Sequence, residues 1–522
     1  MYLHTLDTLL EAMLKATFYP HPVATIHVIH THISIVILTG SYAYKIKKPV
    51  NFGFVDFTHL ADRKHFCDEE LRLNSRLAPG LYLEVVPILL KDGVYMFTTA
   101  SPDSKEFIVE YAVKMRQFDP SQQFDCLLTN GCLPITYMDT LTQKIAVFHE
   151  QAEKAPNDSP YGQPNTVLQP MLDNFVHLRT HLLSNQSLGN RLSLLENWTE
   201  QEYKRLQIDI VQRKKAGHIR ACHGDMHLGN IALIGKEITI FDGIEFSESL
   251  RWIDTANELA FLLMDLEDRQ SPAYAQRVLN GYLSASGDYE LLKVLNFYKV
   301  YRAMVRAKVH ALRLSQLPDE PLRQQELTTC LHYLSLAEHY LQHPQQQQPC
   351  LVITHGVSGS GKSYACKTLV EQGGFIQLRS DIERKRLYQN QHDPQMALYD
   401  SGMTEYTYQH LALLSKQLLP LGYSVVVDAT FLQQAHRQIF QQLAQQLSAP
   451  FLILTFRGSV PIYEHNITQR QQAGNDVSDA DIAVLHQQLK QYTPLQDNEP
   501  YVTVHANAPI PLAQIQAQLG RL

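Results

Sequence analysis

Two short stretches of this 522-residue chain gather residue types suited to handling phosphate. The first is Gly356-Val-Ser-Gly-Ser-Gly361-Lys362-Ser363, which follows the apolar run Leu351 to Thr354 and precedes a stretch of helical pattern. Glycines let a backbone wrap an anion, so the N–H groups of Gly356, Ser358, Gly359, Ser360 and Gly361, with a helix N-terminus, are expected to face phosphate oxygens. Lys362 then reaches the β- and γ-phosphates of a nucleotide and Ser363 holds Mg²⁺. The second stretch is His223-Gly-Asp225-Met-His227-Leu-Gly-Asn230, followed after two short strands by Phe241-Asp242-Gly243. Asp225 suits the orientation of an acceptor hydroxyl and the removal of its proton, while Asn230 and Asp242 offer hard oxygens to Mg²⁺. His223, Asp225 and His227 would alternatively form a metal cluster on an extended segment, but Asn230 and Asp242 have no part in a zinc site.

These residues must be held by two kinds of scaffold. Beyond residue 350, short apolar runs (Leu351 to Thr354, Phe375 to Leu378, Tyr423 to Val427, Phe451 to Phe456, Tyr501 to Val504) alternate with helical stretches, which predicts an α/β domain with a mainly parallel sheet. Val425-Val-Val-Asp428 ends one such strand with a carboxylate suited to Mg²⁺ or its water. Arg379-Ser380-Asp381 ends another, putting Asp381 at the sheet edge where ligands bind and an acceptor hydroxyl needs a base. Ser380 with Glu383 also reads as a capping box, in which Asp381 merely favours the helix dipole. Upstream, the β-rich segments Ala24 to Thr31, His32 to Thr39 and Tyr42 to Lys47 precede a helix predicted over Phe66 to Leu77, and a mostly helical region runs from about Leu141. The Pro344 to Pro349 stretch, with four glutamines and no apolar face, reads as a linker between residues 1–343 and 350–522.

Composition narrows the partners. Net charge is −7, with 45% hydrophobic and 19% charged residues, so the chain can bury real cores and carries no global basic field to draw nucleic acid or anionic lipid. Seven cysteines without a CxxC pair argue for reduced thiols. The first residues read as an amphipathic helix through Leu6, Leu9, Leu10, Met13 and Leu14, and the longest apolar runs fall far short of the ~20 residues that span a bilayer. The expectation is a cytoplasmic protein with no membrane partner, whose oligomeric state is unreadable. Asp254 reads as a helix cap rather than a catalytic group. Arg302, Arg306, His310 and Arg313 recur along one helix face, which, if it lines an acceptor cleft, favours a neutral or anionic substrate.

The P-loop, Arg379-Ser380-Asp381-x-x-Arg384, Val-Asp428-Ala-Thr430 and Arg470 together resemble the small P-loop kinases that include polynucleotide kinase, chloramphenicol phosphotransferase and zeta toxins. That resemblance covers Cys350 to Leu522. It implies that Asp381 deprotonates an acceptor hydroxyl, that Arg384 contacts the acceptor, and that Arg470 lies in a lid over the ATP phosphates. Such lids often carry two arginines a helical turn apart, whereas this chain has Asn466 four residues before Arg470.

The spacing of Asp225, Asn230 and Asp242 repeats that of the protein-kinase catalytic set. A kinase site also needs a lysine on its third strand and a glutamate on the next helix. Lys45 and Lys47 share one side of a strand, with Lys45 preferred, and Glu70 is preferred over Glu69. Residues 1–343 thus resemble the aminoglycoside phosphotransferase family within the protein-kinase-like α+β bilobal fold, and the whole chain resembles bacterial bifunctional proteins joining such a domain to a P-loop domain. The resemblance implies Asp225 as base, Asn230 and Asp242 as Mg²⁺ ligands, ATP as donor and a small-molecule hydroxyl as acceptor. Other readings are that one site is a regulatory ATP switch, or that the P-loop domain phosphorylates nucleic-acid 5′-hydroxyl ends or, toxin-like, nucleotide sugars.

Overall fold

The computed structural model describes residues 2–51, 55–98, 108–182, 186–314, 317, 319–341, 348–390, 397–473, 479–506 and 508–520. Most of the predicted linker therefore lies outside the described residues. The chain forms two compact units, one of residues 1–137, 147–170 and 207–265, the other of residues 138–146, 171–206 and 266–522.

In the first unit an antiparallel sheet has the order β1-β2-β3-β6-β4-β5. Its strands are β1 His27–His30, β2 Ser34–Leu38, β3 Tyr42–Lys47, β4 Tyr82–Lys91, β5 Val94–Phe97 and β6 Ile108–Arg116. Alternation along β3 sends Tyr44 and Ile46 into a core with Leu9, Met13, Tyr19, Ile35, Ile37 and Ile88. Lys45 and Lys47 consequently point to the opposite face, where the helix Leu60–Asn74 lies and brings Glu70 to both ammonium groups. This helix starts before the predicted Phe66. Its first turn is anchored by a charged residue that hydrophobic periodicity passes over: the buried Arg63 donates from Nε to both Glu110 oxygens at 3.0 and 2.9 Å, and from Nη1 to the Phe57 carbonyl.

Further along, β7 Ile219–Ala221 pairs with β10 Trp252–Asp254, and β8 Ile231–Ile234 with β9 Glu237–Ile240, both antiparallel. The segment from Cys222 to Asn230 runs between β7 and β8, and Asp242 follows β9, so two short ladders fix both polar segments. Asp254 caps as expected, accepting from the Ala256 N–H at 2.8 Å, and also takes a two-pronged bond from buried Arg213.

The second unit holds the helices Pro272–Ser286, Leu291–Leu314 and Glu320–Leu341 and a five-stranded sheet of order β12-β13-β11-β14-β15. Its strands are β11 Leu351–His355, β12 Ile376–Arg379, β13 Val425–Asp428, β14 Phe451–Arg457 and β15 Tyr501–His505, and every ladder is parallel. Parallel strands covered on both faces read as continuous apolar runs, as the fully buried β11 and β13 do. Val352, Val426, Leu452, Leu454 and Val502 form the core on one face. Strand order reverses at β11, so a crevice opens at the carboxyl ends of β11, β13 and β14. Among the described residues no helix is long and apolar enough to cross a membrane.

His355, at the end of β11, is fully buried, with Nδ1 3.0 Å from the Thr455 hydroxyl and its ring against Tyr492. Burial, helped by Arg437, pushes its pKa down from 6.5 to about 4. Between those values the unfolded chain binds the proton and the folded one does not, so stability rises with pH across that window and is lost as pH falls from 6.5 towards 4. We expect the urea midpoint of the second unit to drop from pH 7 to pH 5 more in the wild type than in His355→Phe, which cannot titrate.

Candidate active sites

In the first unit Lys45 Nζ lies 2.8 Å from Glu70 Oε1 and 2.6 Å from Asp242 Oδ1. Lys47 is fully buried, between Glu70 Oε2 at 2.8 Å and Glu245. Burial alone raises the Glu70 pKa, but the two ammonium groups outweigh it and hold the carboxyl down at about 2. Glu245 is pushed up by burial, against the pull of Lys47. Removing Glu70 leaves Lys45 to Asp242 and Lys47 to Glu245 but takes the shared carboxylate from two buried ammonium groups. Glu70→Ala is therefore expected to cost the first unit about 3–5 kcal/mol, read as an earlier transition in urea unfolding of the full chain, whereas Glu69→Ala should leave that transition in place.

The polar segment after β7 is tied down by several groups. Glu258 accepts from the Gly224 N–H at 2.6 Å and sits 2.7 Å from His149 Nε2, so a buried carboxylate fixes the backbone next to Asp225. Asp265 accepts from the Leu228 N–H at 2.8 Å. Asn230 Nδ2 donates to the Asp225 carbonyl at 3.0 Å and to its carboxylate at 3.2 Å, which leaves Asn230 Oδ1 as a free acceptor. His223 Nε2 lies 2.9 Å from the Phe241 carbonyl, joining this segment to the one carrying Asp242. Asp242 has φ of 62°, a left-handed conformation uncommon outside glycine. Bonds from its N–H to the Tyr82 hydroxyl and from the Gly243 N–H to Asn74 hold it there. Backbone strain of this kind persists where surrounding bonds over-determine it, and it clusters at functional sites. The donor set of Asn230 Oδ1 and a half-exposed Asp242 carboxylate is all hard oxygen and fits Mg²⁺.

In the second unit the loop from Gly356 to Gly361 wraps the start of the helix Lys362–Gly373. Gly359 has φ of 79°, and a Cβ there would run into the Tyr463 carbonyl, so only glycine serves. Lys362 is nearly buried and its ammonium donates to the Val357 carbonyl at 2.8 Å. Burial lowers its pKa, while Asp428 and Asp381 pull the other way. Asp428 is raised by burial, opposed by Arg379, Lys362 and a hydrogen bond from Ser363. A serine hydroxyl bonded to a buried carboxylate beside the loop is again an oxygen set that fits Mg²⁺. A cleft of about 730 Å³ is lined by Ser358 to Ser363 together with Asp381, Arg384, Asp428 and Arg470. Asp381 and Arg384, three residues apart on the helix Ser380–Asn390, share the face that lines it. The Arg384 guanidinium lies over the Tyr399 ring, 5.4 Å from its centroid.

The structure brings together Asp225, Asn230, Asp242, Lys45 and Glu70 in one unit, and the loop, Asp381, Arg384, Asp428 and Arg470 in the other. Three expectations are corrected. Lys47 is sealed between Glu70 and Glu245, and it is Lys45 that reaches Asp242 at the open side. Arg302 and Arg306 are engaged in packing rather than spread on an open basic face: Arg302 is buried over Tyr301, and Arg306 lies over Tyr333 of the helix Glu320–Leu341, where Glu326 also takes His310 and Arg313. That basic face is a helix-packing surface whose aromatic and acidic partners come later in sequence. Glu383 forms no capping box, because its carboxylate is turned away to Tyr289 and Arg386.

Several participants escaped the sequence. Glu245 and Glu258 have no motif of their own, although Glu245 stands three residues after Asp242. Gln377 donates from Nε2 to Asp428 at 3.0 Å, and its alternation with Arg379 on β12 was the available signal. Asn466, where a lid arginine was expected, donates to the Gly359 carbonyl at 2.8 Å and so serves the loop rather than the phosphates. Gln488 accepts from the Ser358 N–H at 2.7 Å.

Residues 351–495 match a family model described as an AAA domain (AAA_33). An uncharacterized protein of Mycobacterium tuberculosis is 29% identical over 473 residues, covering 89% of this chain and 90% of its own length. Among solved structures, a choline/ethanolamine kinase family protein from Mesorhizobium loti (11% identity, TM-score 0.37) is covered over 99% of its length by 64% of this chain. A gluconokinase from Sinorhizobium meliloti 1021 (19% identity, TM-score 0.24) is covered over 92% of its length by 34% of this chain. The matched AAA segment begins at β11 and contains the whole phosphate loop, Asp381, Asp428 and Arg470, so the C-terminal part of the chain carries a P-loop domain.

Proposed function

We propose that this protein is a Mg-ATP-dependent phosphotransferase with two kinase-type sites, each moving a γ-phosphoryl group to a hydroxyl of a small molecule, carried by residues 1–343 and 350–522. The observation that supports it best is that a lysine, an oxygen-rich metal donor pair and a carboxylate converge twice, once around Asp242 and once around Asp428. In the first site Lys45, oriented by Glu70, holds nucleotide phosphate and Asp225 orients the acceptor hydroxyl and takes its proton. In the second, the N–H groups of the loop and Lys362 hold the β- and γ-phosphates, Arg470 closes over them, Arg384 contacts the acceptor and Asp381 takes the proton. Asn230 with Asp242, and Ser363 with Asp428 nearby, would hold Mg²⁺, which would supply neutralisation of charge on the transferring phosphoryl.

The test is a mass-spectrometric screen of a cell metabolite extract with Mg-ATP. Metabolites gaining one phosphate should separate into those lost with Asp225→Asn and those lost with Lys362→Ala. Absence of any gain with the wild-type chain would refute the reading.

A further inference from the structure

The helix Ser380–Asn390 has two working faces. Asp381 and Arg384 line the cleft, while Glu383 and Arg386 face residues 272–289 of the helical region, which lie in the same compact unit. Tyr289 donates its hydroxyl to Glu383 Oε1 at 2.9 Å, both groups being buried. Arg386 bonds the same carboxylate and donates from Nη2 to the Ser284 carbonyl at 2.6 Å. Gly287, with φ of 71°, leaves room for it, since a Cβ there would stand 2.6 Å from Arg386 Nε.

The preceding strand is seated from the same segment. β12 is an edge strand of the parallel sheet. Asn280 meets its open side as a neighbouring strand would: Oδ1 accepts from the Gln377 N–H at 2.7 Å and Nδ2 donates to the Phe375 carbonyl at 3.1 Å. Edge groups of a sheet need such cover. Gln377 in turn bonds Asp428, and Arg379 of the same strand lies 3.8 Å from it. A third tie runs from Arg277 to Glu371, on the helix that follows the phosphate loop.

We propose that Asn280 and Tyr289 are positioning residues of the P-loop site. They belong to the helical region that precedes the linker, yet they set β12 and the Asp381 helix, and so fix the acceptor side of the cleft relative to Lys362 and Asp428. Among the described residues, the side-chain hydrogen bonds of Asn280 and Tyr289 go to Gln276, Phe375, Gln377 and Glu383 and not to the phosphate loop. This rests on the two-site reading above, and it makes residues 350–522 alone an incomplete acceptor site. Because a 1 Å misplacement of reacting groups costs about 10²-fold, loss of these contacts should act on turnover rather than on nucleotide binding.

The experiment uses the full-length chain as wild type, Asn280→Ala, Asn280→Asp, Tyr289→Phe and Lys362→Ala, with the metabolite extract and Mg-ATP as probe. Asn280→Ala should slow the Lys362-dependent phosphate gain by about 10-fold or more while the Kd for Mg-ATP stays within about twofold. Tyr289→Phe should act in the same direction. Asn280→Asp, which keeps an acceptor for the Gln377 N–H, should recover part of the rate. Hydrogen exchange supplies a readout that stands even if no Lys362-dependent gain exists, an outcome that would count against the two-site reading alone. The Gln377 amide should exchange faster in Asn280→Ala and return towards wild type in Asn280→Asp. Unchanged exchange, a wild-type rate in both Asn280→Ala and Tyr289→Phe, or a parallel loss of nucleotide affinity in both would each overturn the positioning role.

Discussion

Lys362→Ala should lower phosphate transfer at the P-loop site by roughly 10²–10³-fold, the range for removing one preorganised charge-stabilising donor from a water-poor site. The side chain is almost fully enclosed, and without a ligand its ammonium is spent on the Val357 carbonyl. A γ-phosphate entering the loop offers a far stronger partner, so the bond to Val357 is exchanged for a charge-assisted one where negative charge develops. The surrounding groups are arranged for that exchange. Asp428 and Asp381 counter the burial that lowers the Lys362 pKa, which favours the charged form. Lys362→Arg is not expected to rescue, because a planar guanidinium does not replace a compact ammonium inside a loop closed by Gly359 and Tyr463. The measurement is the initial rate of each phosphate gain in the extract assay. Gains that depend on Asp225 should keep wild-type rates. If Lys362→Ala removed them as well, one shared site would replace two.

The parts of this fold that were legible in the sequence are those whose signal is local. Five strands announce themselves as apolar runs, and the phosphate loop as glycines between a strand and a helix. Asp225, Asn230 and Asp242 are readable because a short hairpin keeps their spacing fixed. What escaped depends on partners far along the chain. Glu258 is 34 residues from the Gly224 amide it fixes, and Asn280 is 97 from the Gln377 N–H it covers. Neither has a neighbour in sequence that hints at its task. The basic face around Arg302 and Arg306 misled for the same reason: its neutralising partner Glu326 and the aromatic ring of Tyr333 lie on the next helix. Charge counted along one helix says nothing of the charge packed against it. Alternation placed Lys45 and Lys47 on one side but could not separate them, since what distinguishes them is Glu245, which seals Lys47.

Asp225→Asn should reduce transfer at the kinase-like site by about 10²–10⁴-fold, the usual contribution of a positioned acid or base, with nucleotide affinity retained. The substitution is informative because the geometry around it survives. Asn230 donates to the Asp225 carbonyl irrespective of the side chain, and to a side-chain oxygen that an amide also provides. Glu258 holds the Gly224 amide from the other side, so the backbone keeps its place. Only the ability to accept a proton from the acceptor is lost. Asp242→Asn is expected to behave differently, since Asp242 carries both the Lys45 ion pair and the oxygen suited to Mg²⁺, so Mg-ATP affinity and rate should fall together. His227 Nδ1 accepts from the Gly229 N–H, so the neutral ring carries its proton on Nε2, 3.6 Å from Asp225 Oδ2, and does not stand in as proton acceptor; the residual rate of Asp225→Asn is left to water. A wild-type rate in Asp225→Asn itself would remove the base from the site and with it the phosphotransfer reading of the first half.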